Sequence, residues 1–380
     1  MAELDKIREE IDRTDDEIIR YFLHRMELSA RVAEVKRETK VSVTNKARER
    51  EILKRVTEKT GDMAGYARVL YSTILDVSRS YQRRLLSEES PLSEQIEKAI
   101  SETPELFPKD GIVACQGVEG AYSQIAADKL FPMGNIMYFK NFGAVFSAVE
   151  KGLCRFGILP IENSSNGSVS EVYDLMKHYK FHIVRSIKLC VKHELLAKRG
   201  TKLSDVKEIV SHEQALGQCS EFLKSLGDSV KIITCENTAM AAEYVANCGR
   251  EGVAAISSHN CAELYGLSCI EEEIQNNDNN YTRFICITKN MQIYPGADKI
   301  SLMLSASHEP GALYRIMARF AALGLNLTKL ESRPIVGRDF EFLFYFDFDA
   351  SVRDPEVAGL LSELSRVDDT FMFLGNYAEV

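Results

Sequence analysis

Apolar residues recur at steps of three and four along the amino-terminal part of the chain: Leu4, Ile7, Ile11, Ile18, Tyr21, Leu28, Val32 and Val35. No Gly or Pro interrupts the pattern before position 61. The spacing predicts one long amphipathic helix reaching about Lys40, roughly 55 Å at 1.5 Å per residue. A second helix is expected from about Thr44 to Lys59 and a third from about Ala64 to Leu86. So long a first helix cannot close a compact core with two shorter ones, and an intertwined dimer is expected to bury its stripe. Together these form a helical domain over residues 1–90. Residues 91–110 read as a Pro-containing, acidic linker that is partly helical.

From Gly111 the pattern changes to short apolar runs alternating with helical segments, so a mostly parallel sheet is expected over 111–290. Two lobes are expected, 111–188 with 271–290, and 189–270. Their polar strand ends would face each other across a cleft that closes on a ligand, as in two-lobed binding proteins. Residues 298–380 read as βαββαβ: KISLMLSA, a helix from PGALY, the strands NLTKLESRPI and FEFLFYFDFD, a helix in PEVAGLLSELSRV and the strand TFMFLGNY.

The stretch LPIENSSNGSV (159–169) stands out. An apolar run ends at Pro160, which cannot donate to a sheet, and gives way to Glu162, Asn163, Ser164, Ser165, Asn166 and Gly167. It reads either as a surface turn or as the polar lip of a ligand cleft beyond the strand tips. Comparable polar residues follow other strands: Tyr122 and Ser123 at a helix start, Ser211 and His212, and Glu236 to Thr238.

Composition narrows the functional classes. The 380 residues suffice for two to four domains, and 45% hydrophobic with 27% charged content suits a soluble globular protein. A net charge of −9 argues against nucleic acid or an anionic membrane as main partner. No leader or membrane span is expected from MAELDKIREE or from any later run. Nine cysteines, none in a C-x-x-C pair, suit reduced thiols rather than disulfides or zinc, and His178 and His182 read as structural. A cytoplasmic, metal-free protein is the expectation.

The helical stripe contains charge. At 100° per residue Arg25 and Lys36 differ by about 20° and point with Ile7, Ile18 and Val32, while Arg8 lies about 100° away. Cations on an apolar face need an anion; they either snorkel, pair with acids of other helices, or await a ligand. The ordered set Arg8, Arg25, Lys36, Asn45, Arg48, Glu49, Ser78 and Gln82 resembles that of the all-helical chorismate mutases. The resemblance implies that Arg25, and Arg8 from the other subunit, hold the two carboxylates of chorismate, with Ser78 assisting. Lys36 and Gln82 would meet the ether oxygen; Arg48 and Glu49 would surround the ring and its hydroxyl. A pericyclic rearrangement needs no nucleophile, only a folded dianion and charge where the breaking C–O bond becomes electron-rich. Asn45 stands where that family usually has Asp, and equally suits a helix N-cap.

Four central motifs, GVEGAYS, LPIENSSNGSV, SHEQALGQC and NNYTRF, resemble those of prephenate dehydratase. The resemblance makes Thr282 the essential catalytic residue and places Glu162, Asn163, Ser211, Gln218, Tyr122 and Ser123 at the site; Glu213 replaces a common Pro. Thr282 would donate to the departing hydroxyl, with Glu162 a second candidate acid. Arg283 either holds the pyruvyl carboxylate or fixes its strand by a salt bridge. PGALY and ESRP resemble the phenylalanine-sensing class of ACT domains, implying effector contacts at Gly311, Ala312, Leu313, Glu331, Ser332 and Arg333 at a subunit interface.

The whole chain thus resembles the bifunctional P-protein family. That implies conversion of chorismate to prephenate and then to phenylpyruvate, inhibition by L-phenylalanine, no cofactor, and a homodimer or tetramer. The rival reading is a non-catalytic two-lobed amino-acid sensor with a helical dimerisation arm.

Overall fold

The structure is a computed structural model that describes residues 2–39, 41–86, 90–227, 229–306, 310–335, 341–367 and 370–380. Residues 87–89, at the end of the expected helical domain, lie outside the described residues. The chain forms two compact units: Met1–Gln95 with Ala306–Asn326 and Arg353–Phe371, and Ile96–Ser305 with Leu327–Val352 and Met372–Val380.

The first unit is built on α1 (Ala2–Thr39), α2 (Lys46–Lys59) and α3 (Ala64–Leu86). Acids Glu3 and Asp5 in the first turn of α1, and Lys36 and Arg37 in its last, complement the helix dipole. Asn45 caps α2, its side-chain oxygen accepting from the Arg48 amide at 3.0 Å. The apolar stripe of α1 is not buried within one chain: Ile7, Ile18 and Val35 remain 51%, 58% and 58% exposed. An apolar surface of that length is the kind that marks an interface.

A connecting helix, α4 (Pro91–Glu102), leads to the sheets. The chain then runs through β1 (Asp110–Gln116), α5 (Tyr122–Leu130), β2 (Met133–Phe139), α6 (Phe142–Glu150), β3 (Phe156–Asn163), β4 (Gly167–Ser168), α7 (Ser170–Met176) and β5 (His182–Cys190). It crosses to β6 (Glu194–Ala197), β7 (Glu208–His212), α8 (Glu213–Gln218), α9 (Ser220–Ser225), β8 (Lys231–Cys235), α10 (Thr238–Asn247), β9 (Val253–Ser257), α11 (His259–Tyr265) and β10 (Ser268–Glu271). The return strand is β11 (Tyr281–Thr288). The remainder is β12 (Lys299–Ser305), α12 (Ala312–Ala322), β13 (Asn326–Pro334), β14 (Phe342–Asp349), α13 (Pro355–Val367) and β15 (Met372–Glu379), in the expected βαββαβ order. Rather than one separate module, however, α12 and α13 belong to the first unit and the strands almost wholly to the second.

Among the described residues one sheet has ten strands, ordered β13-β14-β12-β15-β5-β11-β3-β1-β2 with β4 on β3, and the other five, ordered β10-β6-β9-β7-β8. Both are mixed rather than mostly parallel. The cause in the larger sheet is β11, which brings the chain back from the smaller sheet and runs against both β3 and β5. Strand β15 extends that sheet by pairing with β5 at Ala378 and Glu379. Gly375 permits the approach: at φ +155°, a Cβ there would lie 2.1 Å from the Ile183 carbonyl oxygen.

The expected strand end at Pro160 is overturned. Strand β3 continues to Asn163 by bulging just past the proline: Phe284 faces Pro160, Arg283 faces Glu162, and Ile161 is the extra residue on β3. On the other edge β1 pairs with β3 only as far as Ile158, so no partner asks Pro160 for an N–H. The continuation carries Glu162 and Asn163 out opposite Arg283 and Thr282.

Candidate active sites

In the sheet unit the tip of β3 meets the start of β11, with Asn163 and Thr282 in register. The Asn163 side-chain oxygen accepts from the Ser165 and Asn166 amides at 3.0 and 2.9 Å, which folds the polar turn back on itself. Its Nδ2 donates to Thr282 Oγ1 at 2.9 Å and to Asn280 Oδ1 at 2.7 Å. Asn280 is 1% exposed and donates to Gln218 Oε1 at 3.1 Å, at the end of α8. His193 Nε2 reaches the same Gln218 oxygen at 2.7 Å. Thr282, Asn163 and Gln218 are therefore brought together from three separate segments.

Other expected dehydratase residues behave differently. Ser211 lies inside β7, fully buried, and donates to the Ile256 carbonyl at 2.7 Å, so its hydroxyl fastens two strands instead of lining a turn. Tyr122 donates to the Lys192 carbonyl at 2.6 Å, while Ser123 is buried in the first turn of α5. Burial pushes the Tyr122 hydroxyl far above its usual range, which makes it a neutral tether. Glu213 opens α8, where an acid suits the helix dipole.

Arg283 is the salt-bridged alternative. It is 4% exposed and faces Glu162 at 3.0 Å, Asp347, and Glu379 at 3.8 Å. Burial alone would pull its guanidinium down, but Asp347, Tyr377, Tyr345 and Glu162 outweigh that and hold it well above its ordinary value. The cation is thus matched by three of the chain's own carboxylates, although its Nε is buried without a hydrogen-bond partner among the described residues. Glu162 is likewise engaged, its second oxygen 2.9 Å from Lys329 on β13. Both Glu162 oxygens are therefore held by cations.

Strand β13 presents alternate residues to this lobe. Lys329 also donates to Ser168 at 2.9 Å, Ser168 donates to Glu331 at 2.6 Å, and Arg333 grips Asp174 with two bonds of 3.0 and 2.5 Å. Arg333 holds the Asp174 carboxyl below its usual range. Glu331 and Arg333 thus engage their side chains with the chain's own lobe. Gly311, Ala312 and Leu313 open α12 in the first unit, with Gly311 at φ +78°.

In the helical unit Arg25 donates to Ser78 Oγ and to the Ile74 carbonyl at 3.4 Å. Lys36 donates to the Val43 carbonyl at 2.6 Å and to Gln82 Oε1 at 3.2 Å. Ser78 and Gln82 are 4% and 8% exposed, so α1 and α3 meet over a polar patch. Among the described residues neither cation forms an ion pair with a carboxylate. Burial pulls both below their ordinary values, and Glu49 pushes Lys36 partly back. Glu49 is itself held by Arg79 at 2.5 Å, a residue that sequence reasoning missed. Arg48 pairs with Glu51 and Arg8 with Asp5 at the surface. Arg8 lies 17 residues before Arg25 on one straight helix, roughly 25 Å away, and cannot join that cluster within one chain.

The sequence matches the family description "Prephenate dehydratase" over residues 113–292. Arogenate dehydratase 2 of Petunia hybrida is 38% identical over 282 residues, covering 70% of this chain and 71% of that protein. The chain belongs to the prephenate dehydratase family. Residues 7–83 further match "Chorismate mutase type II", so one polypeptide carries a mutase and a dehydratase, an isomerase and a lyase. Arogenate dehydratase/prephenate dehydratase 2 of Arabidopsis thaliana is 35% identical over 317 residues, 79% of this chain and 81% of that protein. Among solved structures, a prephenate dehydratase in complex with L-Phe from Arthrobacter aurescens is similar at TM-score 0.64 and 28% identity, covering 70% of this chain and 90% of that one. Within this family the Thr282 cluster and the Arg25–Lys36 cluster are the two places to look for chemistry. Asn280 stood in the NNYTRF motif but had drawn no role; nothing in the local pattern around His193 singled it out.

Proposed function

We propose that the Arg25–Lys36 cluster rearranges chorismate to prephenate, that the Thr282 cluster converts prephenate to phenylpyruvate, and that residues 298–380 act as an ACT-type sensor of L-phenylalanine. The observation that carries the dehydratase reading is the register of Thr282 against Asn163. Because Thr282 Oγ1 accepts from Asn163, its own proton is free to point at a leaving group. Prephenate takes up one proton, loses its ring hydroxyl as water and its ring carboxylate as CO2, and becomes aromatic. Thr282 donates to the departing oxygen and regains its proton from water, while neutral donors orient the dianion. A strong ion pair on the departing ring carboxylate would stabilise the ground state instead.

In the mutase, two cations bonded to neutral partners alone among the described residues are poised for an anion. Arg25 suits a carboxylate, and Lys36 suits the ether oxygen as negative charge develops there. The exposed stripe of α1 and the distance of Arg8 support a homodimer in which Arg8 comes from the second copy. The sensor reading draws on the βαββαβ order and on the Arthrobacter relative, described in complex with L-Phe. Candidate effector contacts are the backbone groups of Gly311, Ala312 and Leu313 at the start of α12 and, separately, Ser332 on β13. A cytoplasmic location suits the nine free cysteines.

The experiment is a timed assay of the purified chain on chorismate, with and without phenylalanine. Prephenate should appear first, phenylpyruvate second, and phenylalanine should slow the second step; failure to form phenylpyruvate from added prephenate would refute the dehydratase assignment. Arogenate, supplied separately, decides whether this chain shares the substrate named for its petunia and Arabidopsis relatives. Calorimetric titration with phenylalanine should give heat in the wild type and weaker binding in Ser332→Ala; a silent wild-type titration would remove the sensor.

A further inference from the structure

The direction of every hydrogen bond around Thr282 is fixed from one end. Backbone amides can only donate, and two of them, from Ser165 and Asn166, point at one atom of the Asn163 side chain. That atom is the oxygen, so the other is the NH2, and it donates to Asn280 Oδ1 and Thr282 Oγ1. Asn280 must then turn its own NH2 to Gln218, whose nearest atom is the oxygen. The ring nitrogen of His193 that meets the same oxygen must carry hydrogen. The other nitrogen, Nδ1, is buried with no partner among the described residues. A hydrogen there would be an orphaned buried donor, so Nδ1 is bare. The burial that pulls the His193 imidazole below its usual range keeps the ring neutral.

We infer that His193 and Asn280 are positioning residues of the dehydratase, which saturate the Gln218 oxygen so that its NH2 faces the substrate and, through Asn163, leave Thr282 as a donor. The inference rests on the dehydratase role given to Thr282. Its chemistry is specific: the site offers amide N–H and hydroxyl O–H to an anionic substrate, with the side-chain oxygens of Asn163, Asn280 and Gln218 already occupied. Without the second donor, the Gln218 amide would be free to flip and present its oxygen to a carboxylate.

The test uses the full-length enzyme with added prephenate, and the mutase rate of the same chain together with a thermal melt as folding controls. His193→Phe keeps the shape and removes the donor, and should raise the dehydratase KM about 10- to 100-fold with a smaller change in kcat. His193→Gln, which keeps a donor near the place of Nε2, should recover most of that loss. Asn280→Leu should lower kcat by a similar factor, since it frees Asn163 from its place beside Thr282. A purely structural His193 would give KM unchanged in His193→Phe, or no rescue by Gln; either result overturns the inference. Should His193→Phe fail to fold, nitrogen NMR of the wild type decides: the neutral Nε2–H tautomer is expected, and Nδ1–H or an imidazolium at neutral pH contradicts it. Thr282→Val separates the two layers. If Thr282→Val retains dehydratase activity, the site reading itself fails; if it is inactive while His193→Phe and Asn280→Leu match the wild type, only the positioning role fails.

Discussion

In the helical unit Arg25 and Lys36 donate to a serine, a glutamine and two carbonyls, all uncharged, whereas in the sheet unit Arg283 sits among Glu162, Asp347 and Glu379. Among the described residues the first pair of cations forms no ion pair and the second cation has three carboxylates. The two reactions also differ in what they do to charge. The rearrangement keeps both carboxylates of chorismate and builds charge at the ether oxygen, so fixed cations help throughout. The dehydration expels a carboxylate as CO2, and a cation clamped on that group would resist its departure. A buried arginine can therefore be a substrate clamp or a structural rivet, and only its partners tell which.

Substitutions can break this contrast. The largest effect is expected for Lys36→Met: mutase kcat should fall on the order of a thousandfold, while turnover of added prephenate stays near wild type. Arg283→Met comes next. Leaving three carboxylates around an apolar group should cost roughly 3–5 kcal/mol of stability, read from urea unfolding. A raised prephenate KM at an unchanged unfolding midpoint would instead mean that Arg283 grips substrate. Lys329→Met should cost less, about three- to tenfold in dehydratase kcat/KM, because Glu162 keeps Arg283 as a partner.

The smallest effect concerns pH. Burial lowers the Lys36 ammonium from the ordinary lysine value of 10.5, so its charge is present below the lowered value and lost as pH rises through it. The mutase rate should therefore show an alkaline limb starting below pH 10.5, absent from the dehydratase. A mutase rate flat to the ordinary lysine range would remove Lys36 from the reaction.

How much of this was legible in the sequence depended on how local the cause was. The α1 stripe and the Asn45 cap are set by neighbours within a few residues, and periodicity exposes both. The pairing of Asn163 with Thr282 joins residues 119 apart, and only the NNYTRF and LPIENSSNGSV motifs hinted at it. The fate of Arg283 was undecidable locally, since Asp347 and Glu379 come from strands far along the chain. Pro160 misled because the rule about missing N–H groups is silent on a strand that bulges just past its proline and goes on pairing. Ser211 misled in another way: a Ser-His pair looks like a turn, but β7 extends through it and buries the hydroxyl.

The most direct measurement follows both products of chorismate in the Thr282→Val enzyme. Two separate sites, one cationic and one built of neutral donors, predict prephenate accumulating at the wild-type rate with phenylpyruvate reduced to background. Continued phenylpyruvate formation, or loss of prephenate formation as well, would contradict them.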